Sequence, residues 1–275
     1  MEKLFNETPI EKYLIRGKTV YVKREDLCTN YPLPPLEKLR GVYFYLKRLR
    51  EEGVNLVGVI DTKVSKAGQG VSVLCKILGL SCIVFYPQEK GKEELRTQQK
   101  ISQENGATLY PLKGNRTMIL YYQSKKIITE KGGIMLPWGL VIEDTVKEVE
   151  KVANTVPEEL LTGTLIVCVG SGTIFSGILR GLQKIPAKVI GIGVGKSNKS
   201  QWEVINKNLH GLDFKRILEI RYNTRIINSD YKYEDECKVD CPFQSHPNYD
   251  RKAWKYLIDN INNLKDPILF WNIGA

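Results

Sequence analysis

Short apolar runs alternate with amphipathic segments along most of the chain, and their lengths and spacings predict the secondary structure. Runs rich in Val, Ile and Leu predict strands at residues 18–24, 56–60, 82–86, 108–111, 134–136, 165–169, 189–193 and 267–271. Apolar positions at helical spacing predict helices at residues 37–52, 71–78, 93–105, 117–131, 143–156, 174–182 and 250–262. Continuously apolar strands that alternate with helices are typical of an α/β protein with mostly parallel sheets.

The composition is that of a globular protein and excludes disorder, a collagen repeat and a coiled coil. Of 275 residues, 42% are hydrophobic and 26% are charged. Lys and Arg number 41 against 31 Asp and Glu, which gives a formal net charge of +10. This excess favours an anionic partner, although a solvated basic surface would produce the same count. Compact basic clusters occur only at Lys47–Arg50 and Lys125–Lys126.

The sequence favours a cytoplasmic protein with no membrane partner. Its apolar runs are shorter than the roughly 18 residues that span a bilayer, and the first residues lack the apolar stretch of a signal peptide. The six cysteines are too few for a disulfide scaffold of this length, so we expect reduced thiols. Cys237, Cys241 and His246 have poor spacing for a structural zinc, and no metal is predicted.

A glycine-rich segment, Gly170 to Gly177 with the sequence Gly-Ser-Gly-Thr-Ile-Phe-Ser-Gly, follows the most apolar predicted strand and opens a helix. Backbone N–H groups, hydroxyls and a positive helix end can together cradle a phosphate. A tight turn needed only for packing is the alternative. The segment matches neither the P-loop nor the Gly-x-Gly-x-x-Gly fingerprint, so it indicates a phosphate without specifying a nucleotide.

Two further features are ambiguous by themselves. The loop from Asp61 to Gly70 lies between a predicted strand and a helix. It can hold a carboxylate or phosphate at the helix N-terminus, or it can be an ordinary loop that Ser65 caps. Lys38 follows the proline-rich stretch Tyr31–Pro35. A lysine in a cleft can act as an amine nucleophile, whereas most helix lysines are solvated.

Taken in order, several segments resemble the fold-type II pyridoxal-phosphate enzymes of the tryptophan synthase β-like superfamily. These segments are Val22–Leu27 (VKREDL), Leu36–Arg40 (LEKLR), the Ser65 loop with Leu78–Leu80, and Gly170–Thr173 (GSGT). Within the superfamily the chain is most similar to the aminocyclopropane-carboxylate deaminase and D-cysteine desulfhydrase branch. That likeness extends to Lys188–Gly193, Asn248–Trp254 and Ile268–Gly274. Each motif is moderately specific, and their order is more so.

The resemblance implies pyridoxal 5'-phosphate as cofactor and a role for individual residues. Lys38 would form the aldimine with the cofactor and transfer the proton at the substrate's α-carbon. Ser65 would hold the substrate carboxylate and assist proton transfer, within a substrate-binding loop that includes Ala67, Gly68 and Gln69. The implied cofactor-binding residues are Lys38, Lys66, Gly170, Ser171, Gly172, Thr173 and Glu234. Glu234 would be the acid near the pyridine nitrogen, with a solvated acidic loop as the alternative.

Several positions depart from the family pattern. Lys66 replaces the asparagine that contacts the ring hydroxyl, and Ala67 stands where a polar residue is usual. Glu37 replaces the asparagine before the lysine, and the segment before His246 is shortened. The ending Asn272-Ile-Gly-Ala replaces a Thr-Gly-Gly type ending. The departure at Lys66 concerns a contact to the cofactor, and the shortening before His246 removes part of the segment that specifies the substrate.

The resemblance implies an α/β fold with two lobes, each with a mostly parallel twisted sheet covered by helices, and the cofactor in the cleft between them. We expect a small domain at residues 45–139 and a discontinuous large cofactor-binding domain at residues 1–44 and 140–275. Relatives with this fold pair as homodimers, and the same is expected here.

Three hypotheses for function follow. The first is elimination, deamination, replacement or a related reaction at the α-carbon of an amino acid or amino-acid-bearing compound. The second is the same chemistry on an amino acid attached to a nucleotide or a nucleic-acid base, which the charge of +10 and the shortened specificity segment favour. The third is a non-catalytic binding module, which the loss of the ring-contacting asparagine favours.

Overall fold

The structure is a computed structural model that describes residues 4–88, 94–114, 116–195 and 197–275. The chain forms two compact units. The larger unit comprises residues 1–30, 35–38 and 145–275, and the smaller unit comprises residues 31–34 and 39–144. Each has its own sheet. The predicted α/β class with mostly parallel sheets is confirmed.

The elements are numbered along the chain. The strands are β1 (Ile10–Ile15), β2 (Lys18–Arg24), β3 (Leu56–Ile60), β4 (Ser81–Pro87), β5 (Thr108–Leu112), β6 (Ile134–Met135), β7 (Thr164–Val169), β8 (Lys188–Gly193), β9 (Thr224–Asn228) and β10 (Ile268–Asn272). The helices are α1 (Leu39–Glu51), α2 (Ala67–Leu78), α3 (Thr97–Glu104), α4 (Thr117–Glu130), α5 (Glu143–Ala153), α6 (Thr173–Gly181), α7 (Asn198–Asn208), α8 (Phe214–Asn223) and α9 (Asp250–Asn260). Glu93, the predicted start of α3, lies outside the described residues.

The sheet of the larger unit has the strand order β1-β2-β10-β7-β8-β9. Among the strand pairs that the structure describes in this sheet, β1–β2 is antiparallel and the others are parallel. The last strand in sequence, β10, lies at the centre, where Phe270 is aligned with Val22 of β2 and Ile166 of β7. Apolar clusters cover both faces of this sheet, one including Ile178 of α6 and the other including Trp254 of α9. Burial on both faces explains why β7 is apolar along its whole length.

The smaller unit has a parallel sheet with the order β5-β4-β3-β6. At Gly58 in β3 a Cβ atom would lie 3.0 Å from side-chain atoms of Ile128, Met135 and Phe85, so the helix α4 packs closely on this strand. All six cysteines lie in the described part of the chain, and they are thiols that form no disulfide with one another. In the described part of the chain, no helix has both the length and the apolar character needed to cross a membrane.

Candidate active site

The Gly170–Thr173 loop joins the carboxyl end of β7 to the N-terminus of α6 in the larger unit. Gly172 precedes the helix with a φ of +94°, and a Cβ atom there would lie 3.0 Å from the carbonyl oxygen of Gln201. Glycine adopts this conformation at no steric cost. The Ser171 and Thr173 hydroxyl oxygens lie 2.9 Å apart in hydrogen-bond contact. Both hydroxyls therefore belong to one polar cluster at the positive end of a helix.

The side chain of Gln201 in α7 holds the Gly170–Thr173 loop in place by hydrogen bonds. No pattern in the sequence predicted this role. Its Nε2 atom donates to the carbonyl oxygens of Val169, at 2.7 Å, and Gly170, at 3.2 Å. The side chain is fully buried, and its Oε1 atom accepts no hydrogen bond from the described residues. Because this buried amide group is hydrogen-bonded to two carbonyl groups, it holds the loop in one conformation.

Lys38 lies beside the glycine loop. Its Nζ atom donates to Ser171 Oγ at 3.0 Å, across 133 positions of sequence. Lys38 is half-buried and precedes α1. Burial raises the pKa of the Cys168 thiol well above its ordinary value, and the charge of Lys38 is one of those that lower it. The structure thus brings together Lys38 and the hydroxyl cluster of the loop.

The segment that carries Lys38 is hydrogen-bonded to residues at and after the C-terminal end of β10. Glu37 is buried and its Oε2 atom accepts from Trp271 Nε1 at 3.0 Å. The Glu37 N–H donates to the carbonyl oxygen of Ile273, and the Ala275 N–H donates to that of Pro35, both at 3.3 Å. Glu37 therefore anchors the segment that carries the neighbouring lysine.

The predicted substrate loop connects β3 to α2 in the smaller unit. The Thr62 hydroxyl oxygen accepts from the Ser65 N–H at 3.1 Å, and Ser65 Oγ accepts from the Ala67 N–H at 3.0 Å. Burial lowers the pKa of the Lys66 ammonium. Gln69 is buried and donates to the carbonyl oxygen of Pro32 at 3.2 Å. Ser65 thus makes a local turn just before α2, whose N-cap residue is Lys66, and Gly68 in the first turn of the helix is buried.

Asp61 lies at the start of this loop, and its burial was not expected. It is 1% exposed, and neither carboxylate oxygen completes a hydrogen bond within the described residues. A Cβ atom on Gly68 would lie 2.6 Å from Asp61 Oδ2, so the carboxylate is against the first turn of α2. Burial raises the pKa of Asp61 from 3.8 to about 7, although the Ser65 side chain and the Gly68 and Thr62 amides lower it in part.

Asp61→Asn is expected to remove a pH-dependent loss of stability. The unfolded carboxyl ionises near its ordinary pKa of 3.8 and the folded one near about 7. The contribution of Asp61 to the free energy of unfolding therefore falls as the pH rises between these two pKa values, by about 1.4 kcal/mol for each pH unit. Above the pKa of the folded state this contribution no longer changes with pH. Urea unfolding near pH 5 and near pH 8 checks this. The variant should gain stability relative to the wild type at the higher pH, whereas an equal difference at both values would contradict the raised pKa.

Two more buried polar groups lie at the carboxyl end of β10. Asp250 Oδ1 accepts from the Ile273 N–H at 3.0 Å, and burial raises the pKa of this carboxyl to about 7. Asn272 donates to the carbonyl oxygen of Gln244 at 2.8 Å, while its Oδ1 atom has no partner among the described residues. By contrast, Glu234 is exposed, and its carbonyl oxygen accepts from Asn248 Nδ2. The role predicted for Glu234 stays a prediction.

Known proteins are similar to this chain over residues of both units. The model of the family described as pyridoxal-phosphate dependent enzyme matches residues 3–211. The chain is 32% identical over 286 residues to a glycyl-dTMP PLP-dependent decarboxylase of Pseudomonas phage M6, covering 98% of this chain and 99% of that protein.

Solved structures agree at the level of the fold. The crystal structure of an ACC deaminase homologue superposes with a TM-score of 0.79 at 21% identity, over 99% of this chain and 90% of that one. The processed form of threonine deaminase isoform 2 from Solanum lycopersicum has a TM-score of 0.67 at 14% identity, over 99% and 84%. These two likenesses are of the fold, and the predicted resemblance to pyridoxal-phosphate enzymes is confirmed by the family match.

Proposed function

This chain belongs to the pyridoxal-phosphate dependent enzyme family, and we propose that it removes the carboxylate from an amino acid attached to a nucleotide. Family membership supplies the cofactor, pyridoxal 5'-phosphate, and with it chemistry at an α-carbon. The observation that supports this substrate is the similarity to the phage M6 protein, which extends over nearly the whole of both chains. The name of that protein states a glycyl nucleotide and a decarboxylation.

The residues of the larger unit fit the cofactor. Gly170 leaves open space, since a Cβ atom there would meet no neighbour within 4 Å. The hydroxyls of Ser171 and Thr173 and the positive end of α6 suit a phosphate. The Lys38 amine lies 3.0 Å from Ser171 Oγ, beside that cradle. We therefore assign the phosphate to the Gly170–Thr173 loop and the covalent attachment to Lys38 Nζ.

When bound, the cofactor withdraws electrons from the α-carbon of an attached amino acid. The protein's own contribution is to orient the substrate and to supply the proton. In the proposed reaction the bond from Cα to the carboxyl carbon breaks, CO2 leaves as a neutral molecule, and a proton from the Lys38 ammonium replaces it at Cα. The Glu37 to Trp271 hydrogen bond holds Lys38 in position for this transfer.

The charge distribution supports an anionic substrate. The smaller unit has 16 Lys and Arg against 10 Asp and Glu, so it carries more than half of the net charge of +10. The side chains of Lys125 and Lys126 are exposed on α4. A positive surface raises the local concentration of a phosphate-bearing substrate and is screened by salt.

The test is a reaction of the purified protein, loaded with pyridoxal phosphate, with glycyl-dTMP. We expect release of CO2 and a nucleotide product that has lost one CO2 by mass spectrometry. Glycine without the nucleotide is the matched control and should react much more slowly. Equal rates with both would remove the nucleotide from the proposal, and no CO2 from either would remove decarboxylation.

A second candidate is deamination or elimination on a small free amino acid, which the Ser65 hydroxyl at the start of α2 favours. Its signature is a keto acid and ammonia from serine or threonine. The non-catalytic alternative is disfavoured, because Lys38 and the glycine loop are both retained and in contact. The predicted homodimer is part of this proposal, and light scattering of the purified protein tests it.

Gly170→Ala is expected to weaken cofactor binding while leaving the fold intact. The added methyl group would meet no protein atom within 4 Å, so it would enter only the space assigned to the phosphate. We expect the dissociation constant for pyridoxal phosphate to rise at least about tenfold, as measured by equilibrium titration. Thermal unfolding of the cofactor-free protein is the control and should not change. An unaltered dissociation constant would place the phosphate elsewhere.

A further inference from the structure

The N-terminus of α2 is a place where an anion is stabilised, because backbone N–H groups and the helix dipole point towards it. The resemblance implies that relatives use this loop, opened by the residue that matches Ser65, for the carboxylate of their substrate. In this chain a carboxylate is already there. Asp61 Oδ2 lies so close to the first turn that a Cβ on Gly68 would be only 2.6 Å away.

We propose that the Asp61 carboxylate occupies the anion position at the N-terminus of α2, so that the Ser65 loop does not hold the carboxylate of the substrate. The proposal rests on the proposed function and names a residue that determines its specificity. Asp61 is almost wholly buried and forms no completed hydrogen bond in the described part of the chain. Its carboxylate lies against Gly68, and the Ser65 side chain and the Gly68 and Thr62 amides are the groups that lower its pKa.

The hydroxyl of Ser65 is already engaged in part. Its oxygen accepts from the Ala67 N–H. Its proton can point to the Asp61 carboxylate, because the Ser65 side chain is one of the groups that lower the pKa of that carboxyl. A second carboxylate at the same helix end would meet the negative charge of Asp61 and would lose the proton of Ser65 as a donor. The loop is therefore suited to a neutral or cationic group.

This arrangement favours loss of the substrate carboxylate over its retention. A carboxylate bound to a helix end is stabilised as an anion, and that stabilisation disappears when it leaves as neutral CO2. A substrate whose carboxylate is not held in this way has a smaller barrier to decarboxylation. Asp61 would thus act on the choice between breaking the bond to the carboxyl carbon and breaking the bond to the α-proton.

The test compares glycine with glycinamide, which differ only in the carboxylate and its neutral amide. Binding to the holoenzyme is followed near pH 8 by the change in cofactor absorption. In the wild type we expect the ratio of the two dissociation constants to show no preference for glycine. In Asp61→Asn the helix end no longer carries a negative charge, and glycine should gain about tenfold over glycinamide. Asp144→Asn, in the same unit and paired with Arg48, is the matched control and should leave the ratio unchanged.

The Ser65→Ala variant provides an independent test by the same comparison of glycine with glycinamide. This test does not require that the Asp61→Asn variant folds. If the loop held the substrate carboxylate, Ser65→Ala would weaken glycine selectively; the proposal expects no selective effect. Ser124→Ala removes a comparable buried hydroxyl from α4 and serves as its control. A wild type that strongly prefers glycine, and loses that preference in Ser65→Ala, would overturn the proposal.

A second measurement addresses the reaction itself. With glycyl-dTMP in D2O, the ratio of CO2 release to exchange of the α-proton should fall in Asp61→Asn by about the same tenfold factor. An unchanged ratio would overturn the effect on bond choice. A holoenzyme that forms but releases no CO2 in any variant would count against the proposed function, whereas CO2 release that Asp61→Asn leaves unaltered would count only against Asp61.

Discussion

Lys38→Ala is expected to lose both the covalent attachment of pyridoxal phosphate and the catalysed reaction. The proposed roles of its amine, anchoring the cofactor and moving the proton at Cα, have no replacement in the Gly170–Thr173 loop, which contributes hydroxyls and amides. A positioned acid–base group alone contributes about 10²- to 10⁴-fold to a rate, so we expect a fall of at least about 10³-fold. Borohydride reduction followed by peptide mapping checks the attachment without any assay of activity.

In the wild type the reduced adduct should map to Lys38, and in Lys38→Ala it should be absent. Lys66→Ala is the matched control, because this lysine lies at the start of α2 and burial lowers its pKa, as nucleophilic amines require. It should retain the adduct at Lys38. An adduct that persists in Lys38→Ala and disappears in Lys66→Ala would reverse the assignment.

Trp254→Ala is expected to be strongly destabilising. The indole is fully buried and packs against Phe243 and Phe270, with ring centroids 4.9 and 5.2 Å away. Its Nε1 atom donates to the carbonyl oxygen of Asp240 at 3.0 Å, so it also fastens the irregular segment before α9. Removing a buried Trp costs about 3 to 5 kcal/mol. Urea unfolding of the two proteins measures this difference.

Tyr222→Ala provides the comparison for the loss of an aromatic ring. Tyr222 is 91% exposed, and its replacement should alter the free energy of unfolding by less than about 0.5 kcal/mol. Similar losses in both variants would mean that the ring of Trp254 contributes no more than an exposed one, and the packing described for this face of the sheet would be wrong.

The elements that the sequence predicted well are those whose surroundings are uniform. β7 is buried at each of its residues, and its apolar run was sufficient to identify it. β1 and β9 are edge strands in which most positions are exposed or half-buried, and neither was predicted. α8 was missed because its apolar residues do not mark its buried face. Phe214 and Leu218 are 74% and 50% exposed.

Some residues of the candidate site were predicted from the sequence and others were not. The order of the motifs predicted Lys38 and the Gly170–Thr173 loop as parts of one site, and the 3.0 Å contact between Lys38 and Ser171 supports placing them together. Asp61, Gln201 and Asn272 were not predicted. A polar residue in sequence is ordinarily solvated, and its burial depends on contacts with segments far along the chain, which no local pattern records.

The central position of β10 has a consequence for biosynthesis. The elements of the smaller unit lie between residues 39 and 144, so this unit can fold while the ribosome is still translating the remainder. The sheet of the larger unit cannot close until residues 268–272 have emerged, because β10 separates β2 from β7. The segment that carries Lys38 is hydrogen-bonded to Ile273 and Ala275. A nascent chain that stalls before these residues therefore lacks the hydrogen bonds that fix Lys38 beside the glycine loop, and the proposed cofactor site is completed only once β10 has joined the sheet.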